Sequence, residues 1–151
     1  DERKLAVARR MGIDHTINAS TTDVPAALKP IAPEGADVVF EATGIGACLD
    51  SAFALARPRG KFVFLGNYGA EPISFHFLVP HGKRLTAFFP CDDGYAPARR
   101  AVLHHMATGA LRWGETITHR VAAADAPALY HAINTAGAAT DVLGAIIRWE
   151  E

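Results

Sequence analysis

The sequence is short of the features that fix a function class at sight. It has no charge excess: 15 Lys and Arg stand against 16 Asp and Glu, a formal net charge of -1. That balance gives no electrostatic footing for nucleic acid or for an anionic membrane surface. Nothing approaches the run of about 18 apolar residues that a membrane-spanning helix needs. The two cysteines, Cys48 and Cys91, have no CxxC spacing and cannot build a disulfide framework. Reduced thiols and a cytoplasmic setting are expected. No initiating Met and no signal peptide precede the charged pattern DERKLAVARRMG, which reads as a chain lacking its beginning. What is present is 151 residues, half of them hydrophobic, enough to bury a core.

Along the chain, Leu5, Ala8 and Met11 share one helical face, and Gly12 ends that helix. His15–Asn18 is a short strand candidate. Asp23 is placed to cap a helix running through Ala32, with Pro25 tolerated in its first turn. Asp37–Ala42 reads as a buried strand because its VVF core is continuous rather than alternating. A helix over Ala47–Ala56 follows, then the strand Lys61–Gly66. Alternating helices and strands argue for right-handed crossovers and a parallel sheet. Beyond this, 71–80 is irregular and aromatic, Leu85–Phe89 is a strand candidate, and Tyr95–Ala110 is helical. Leu111–Arg120 is a loop or short strand, a helix capped by Asp125 runs to about Ala136, and Val142–Trp149 is a final strand.

One stretch, VVFEATGIGACLD, imitates the strand, glycine turn and helix of a pyrophosphate loop. The motif needs a third glycine for close helix packing and an acid about 20 residues on for a ribose hydroxyl. Leu49 occupies the third position, and the next strand ends Phe64-Leu65-Gly66-Asn67 without a carboxylate. The stretch therefore reads as a later strand-to-helix turn of the same kind of sheet.

The ordered segments RKLAVARRMGID, GADVVFEATG, ALARPRGKFVFLGNYG and GALRWGETITHRV, a helix containing ALYHAI and a closing apolar strand resemble the C-terminal portion of the medium-chain, zinc-type alcohol dehydrogenases. The resemblance implies an α/β fold: part of a Rossmann-like, doubly wound parallel sheet whose N-terminal strands are missing, followed by a helix-helix-strand segment. Residues 1–89 would be the second half of the NAD(P)-binding domain. Residues 90–151 would return into a catalytic domain that this chain lacks. The implied activity is hydride transfer between nicotinamide and an alcohol or carbonyl carbon, with NAD or NADP as cofactor. The resemblance also implies zinc in the full-length enzyme but not on this chain, a homo-oligomer (dimer or tetramer), and no activity of the chain alone. Two alternatives stay open: a zinc-free quinone or enoyl reductase of the same superfamily, and a non-enzymatic Rossmann-like binding module.

Carried over by position, Lys4 matches a residue that reaches the adenosine ribose. Ala42, Thr43 and Gly44 match the fourth-strand loop lining the cofactor. Leu65, Gly66 and Asn67 match the fifth-strand tip beside the nicotinamide, and Phe89 and Pro90 match the sixth-strand end near the carboxamide. Gly144 stands where the family often has Lys or Arg, which removes one expected phosphate contact. No residue is assigned as acid, base or zinc ligand. His104-His105, His119 and Cys91-Asp92-Asp93 read as surface or structural groups rather than metal ligands, and Glu41 as a polar group satisfied at a strand end. Phe75, Phe77, Phe88 and Phe89 could line a pocket or form core and interface.

Overall fold

A computed structural model describes residues 1–91, 94–136 and 141–149. In chain order it has α1 (Glu2–Arg10), α2 (Val24–Leu28), β1 (Ala36–Glu41), α3 (Leu49–Leu55), β2 (Ala56–Phe64), α4 (Leu78–Gly82) and β3 (Thr86–Phe88). Then follow α5 (Ala96–Ala107), β4 (Ile117–Ala122), α6 (Ala126–Ala136) and β5 (Gly144–Arg148). Two units result, one of residues 19–93 and one of residues 1–18 with 94–151.

In the unit of residues 19–93, the Asp23 carboxylate accepts the Ala26 amide at 3.2 Å and starts α2. The helix ends at Leu28, short of the expected Ala32, because Pro30 has no N–H for the helical ladder. The backbone keeps turning, and the Ile31 and Ala32 amides both donate to the Leu28 carbonyl at 2.9 and 2.8 Å. β1, β2 and β3 then form a parallel sheet in that order. Val39, Phe62 and Ala87 stand side by side across it, as do Phe40, Val63 and Phe88. Because neighbours in register share a face, these two rows define opposite faces of the sheet.

Helix α3 covers the first face. Leu49 and Phe53 from the helix meet Phe62 and Phe64 from β2, and all four are buried. Ring centroids of Phe53 and Phe62 lie 4.3 Å apart, and those of Phe62 and Phe64 lie 4.9 Å apart. The second face carries Val38, Phe40 and Phe88, and Phe40 is 63% exposed. The continuous VVF run implies burial on both faces; only the face under α3 is buried. The irregular 71–80 stretch supplies one helix not expected, α4. Its Pro80 sits in the first turn, where the missing N–H has no intrahelical partner to lose. His15–Asn18, in the other unit, forms no strand and belongs to neither sheet; a strand needs a sheet ladder to hold it.

In the unit of residues 1–18 and 94–151, the Asp1 carboxylate caps α1 by accepting the Arg3 amide at 2.8 Å. Glu2 in the first turn and Arg9 and Arg10 in the last suit the helix dipole. β4 and β5 pair in parallel, which resolves the loop-or-strand reading of Leu111–Arg120 in favour of a strand from Ile117. Thr118 clips the pair: its hydroxyl donates to the Gly144 carbonyl at 3.2 Å and accepts the Leu143 amide at 3.1 Å. A Cβ on Gly144 would come within 2.9 Å of the Thr116 carbonyl oxygen. A side chain at this position would have to displace that backbone.

Candidate functional site

The carboxyl ends of β1 and β2 are locked together around Glu41. Its backbone carbonyl accepts the Leu65 and Gly66 amides, at 2.8 and 2.9 Å, from the loop after β2. Its side chain is 97% buried, facing inward beside Phe64. There the carboxylate accepts the Thr43 amide at 2.8 Å, and also the Thr43 hydroxyl and the Tyr68 hydroxyl. Thr43 Oγ1 in turn accepts the Ile45 amide at 3.1 Å, turning the chain toward α3. Asn67 Oδ1 accepts the Gly69 amide at 3.0 Å and shapes the second loop. No buried side-chain polar atom lacks a partner among the described residues.

The electrostatics follow from this packing. Burial acts to raise the Glu41 carboxyl, but the hydrogen bonds from Thr43 and Tyr68 outweigh it and hold the group below the ordinary carboxylate range. Glu41 is therefore an anion at neutral pH. Burial and the adjacent Glu41 charge push the Tyr68 hydroxyl well above the ordinary tyrosine value, so it stays protonated and donates.

The structure gathers most of the residues that the sequence singles out in this unit. Gly44 meets Gly66 and Asn67 backbone to backbone, and Thr43 beside it is tied to Glu41. Ala42, Thr43, Leu65 and Asn67 are exposed along the same edge. Leu65, Phe89 and Pro90 line one end of an open groove of about 700 Å³ that continues over Phe40, Val63 and Phe88 on the uncovered sheet face. Ligands of open parallel sheets bind at this carboxyl edge. Lys4 belongs to the other unit, where it lies beside Asp1, Arg3 and Val7 at a cavity of about 190 Å³.

The aromatic residues divide. Phe75, Phe77 and Phe89 line a cavity of about 610 Å³ on the face covered by α3, while Phe88 points to the opposite face. Phe89 stacks on Phe64 at 4.5 Å between ring centroids. His104 and His105 are exposed neighbours on α5, and His119 Nδ1 lies 2.9 Å from the Thr118 hydroxyl. Among the described residues no group of three or more His, Cys, Asp or Glu side chains is arranged to hold a metal ion. Asp92 and Asp93, of the Cys91-Asp92-Asp93 loop, lie outside the described residues. Sequence reasoning missed Tyr68. Its only local signal is a hydrogen-bonding aromatic two residues after the Gly66 of the strand tip.

A family model described as zinc-binding dehydrogenase matches residues 1–106. The chain is 31% identical over 135 residues to a D-xylulose reductase of Saccharomyces cerevisiae, a match covering 83% of this chain and 36% of that protein. It is similar in structure to an alcohol dehydrogenase from Thermotoga maritima, with a TM-score of 0.83 at 23% identity over 99% of this chain and 41% of the other. A protein of Escherichia coli CFT073 described as a short chain alcohol dehydrogenase, complexed with cofactor NADH, gives a TM-score of 0.78 at 20% identity, over 99% of this chain and 42% of the other. At these identities the structural likeness shows the fold. The chain spans about a third of the length of the curated relatives it matches.

Proposed function

The chain belongs to the zinc-binding dehydrogenase family, and from that premise we propose that it is the part of an NAD(P)-dependent oxidoreductase that seats the nicotinamide. The observation that carries this reading is the interlock of the β1 and β2 loops at the carboxyl edge of a parallel sheet. The residues present fit a dinucleotide's nicotinamide end. Thr43, Gly44, Leu65 and Asn67 offer a rim of backbone groups and one apolar side chain, with the apolar Phe89 and Pro90 at the groove beside it. When bound, the nicotinamide supplies hydride transfer to or from the carbon of an alcohol or carbonyl compound. The chain's own residues would hold the ring in place and exclude water from one side of it, without donating or accepting a proton.

The described residues do not fit a zinc ion. In this reading zinc, the small-molecule substrate and the phosphate-binding glycine loop belong to the remainder of the whole protein. That remainder also covers the apolar face bearing Val38, Phe40 and Phe88. Residues 1–89 then serve as the second half of the cofactor domain and 90–151 as its return to the catalytic domain. The assembly is a cytoplasmic homo-oligomer, and the chain alone is inactive. No helix among the described residues is long and apolar enough to cross a membrane. The D-xylulose reductase relative directs the choice of substrates toward polyols and their ketoses.

The test is a turnover assay of the whole protein against a panel of polyols and simple alcohols with NAD or NADP, alongside metal analysis. Nicotinamide reduction with at least one alcohol is expected, with none from residues 1–151 alone. Absence of nicotinamide-dependent turnover in both directions across the panel contradicts the reading.

A further inference from the structure

A buried carboxylate on the core face of a strand needs an explanation, because an aliphatic residue there would pack against Phe64 without any desolvation cost. Glu41 is almost wholly buried, yet it makes two kinds of bond that no aliphatic residue could make at once. Its carbonyl holds the loop after β2 through the Leu65 and Gly66 amides. Its carboxylate holds the loop after β1 through Thr43, and the loop after β2 again through Tyr68. Thr43 uses one carboxylate oxygen and Tyr68 the other. The carboxylate accepts on both sides; Gln in its place keeps one oxygen for Thr43, meets the Tyr68 hydroxyl only by donating its NH2, and loses the charge that strengthens these bonds. The Tyr68 ring is seated edge-on against Phe64, 6.1 Å between centroids, so its hydroxyl is aimed by the aromatic core.

We propose that Glu41 is a positioning residue for the nicotinamide cofactor, acting with Tyr68 to fix the spacing between the Thr43-Gly44 and Leu65-Gly66-Asn67 loops. The inference rests on the function proposed above. Glu41 touches neither cofactor nor substrate; it sets the gap that the nicotinamide enters. Because Leu65, Thr43 and Asn67 are exposed while the Glu41 carboxylate beneath them is buried and Tyr68 half-buried, the rim is held from below and open above. Loss of the clamp leaves the rim residues in place chemically but lets the two loops move independently. Cofactor binding then bears the cost of ordering them.

The experiment compares the whole protein with its Glu41→Gln, Tyr68→Phe and doubly substituted variants by steady-state kinetics with NADH and NADPH. Each single substitution is expected to raise the cofactor KM about tenfold while the carbonyl substrate's KM changes less than about twofold. The double variant is expected to be no worse than Glu41→Gln alone, since both act through one network. A substitution that only loosened the fold would move both KM values and the melting temperature together. Should Glu41→Gln fail to fold, Tyr68→Phe, which keeps the ring packed on Phe64, decides alone. Folded variants whose cofactor KM stays within about twofold of the parent overturn the inference and leave the proposed function standing. A parent protein that turns over neither cofactor overturns both.

Discussion

Gly66 lies so close to Gly44 that a Cβ on Gly66 would sit 2.4 Å from the Gly44 backbone nitrogen. A second close approach runs from Gly44 to the next residue of the same loop. A Cβ on Gly44, whose φ is +70°, would sit 2.4 Å from the Asn67 carbonyl oxygen. The β1 and β2 loops thus touch through backbone, and any side chain at either glycine would have to part them.

Gly66→Ala is accordingly expected to destabilise the protein by about 1–3 kcal/mol, the usual range for overpacking against atoms that cannot move aside. Gly82→Ala is the control. Nothing lies within 4 Å of its added Cβ, and Gly82 is helical. It should be neutral or stabilising by up to about 1 kcal/mol. Thermal or denaturant unfolding of the two variants checks the contrast; equal effects would contradict the close approach.

Glu41 sets an acid-side dependence. Its carboxyl is held below the unfolded value of about 4.3, so its contribution is present above that pH and is lost as pH falls through the lower folded value. The melting temperature of the parent should exceed that of Glu41→Gln at neutral pH, and the difference should shrink steadily below about pH 4. A gap that stays constant to pH 2.5 or widens on acidification would oppose this reading of the carboxylate.

Tyr68 sets the matching alkaline observation. Taken as the difference between the whole protein and its Tyr68→Phe variant, the Tyr68 phenolate absorbance should appear only well above the ordinary value of about 10. In the same difference taken on a Glu41→Gln background, that transition should come down, because the adjacent negative charge is one of the causes of the rise. The check is an ultraviolet pH titration over both backgrounds.

A second tether holds the aromatic segment that bears Phe75 and Phe77 beside the cavity of about 610 Å³. Asp50, in the first turn of α3, accepts the His76 amide at 2.8 Å and lies 2.5 Å from His76 Nδ1. The His76 amide is the main reason why the Asp50 carboxyl is held low, outweighing the opposing effect of burial. Asp50→Asn is expected to speed hydrogen exchange at the His76 amide with little change in global melting, because the pair lies at the surface. Unchanged exchange at that amide would remove Asp50 as the tether.

Lys83 closes the other end of α3. Its ammonium donates to the Ala54 and Ala56 carbonyls at 2.7 and 2.5 Å, satisfying groups at the helix C-terminus. Lys83→Met keeps the apolar stem and is expected to cost about 1–2 kcal/mol in unfolding experiments.

The strands that position the site are legible in the sequence because each is a short continuous apolar run: VVF in β1, FVF in β2, and the AF of β3. The resemblance points to residues that the structure places at the carboxyl edge, where Gly44 meets Gly66 and Asn67. Three things were not legible. His15–Asn18 has strand-like residues, but strand formation depends on a neighbour that no local pattern reveals. The parallel pairing of β4 with β5 joins segments separated by α6, so Leu111–Arg120 reads locally as loop or short strand. The bond from Tyr68 to Glu41 spans 27 residues and depends on how far β1 and β2 are offset in register.

A crystal structure of the whole protein with NADH or NADPH bound tests most directly whether these loops line the nicotinamide. The expected result is a nicotinamide ring within about 4 Å of Leu65, Gly66 or Asn67 on one side and of Thr43 or Gly44 on the other. A nicotinamide bound away from both loops, with the Glu41 and Tyr68 clamp intact, would contradict the proposed function.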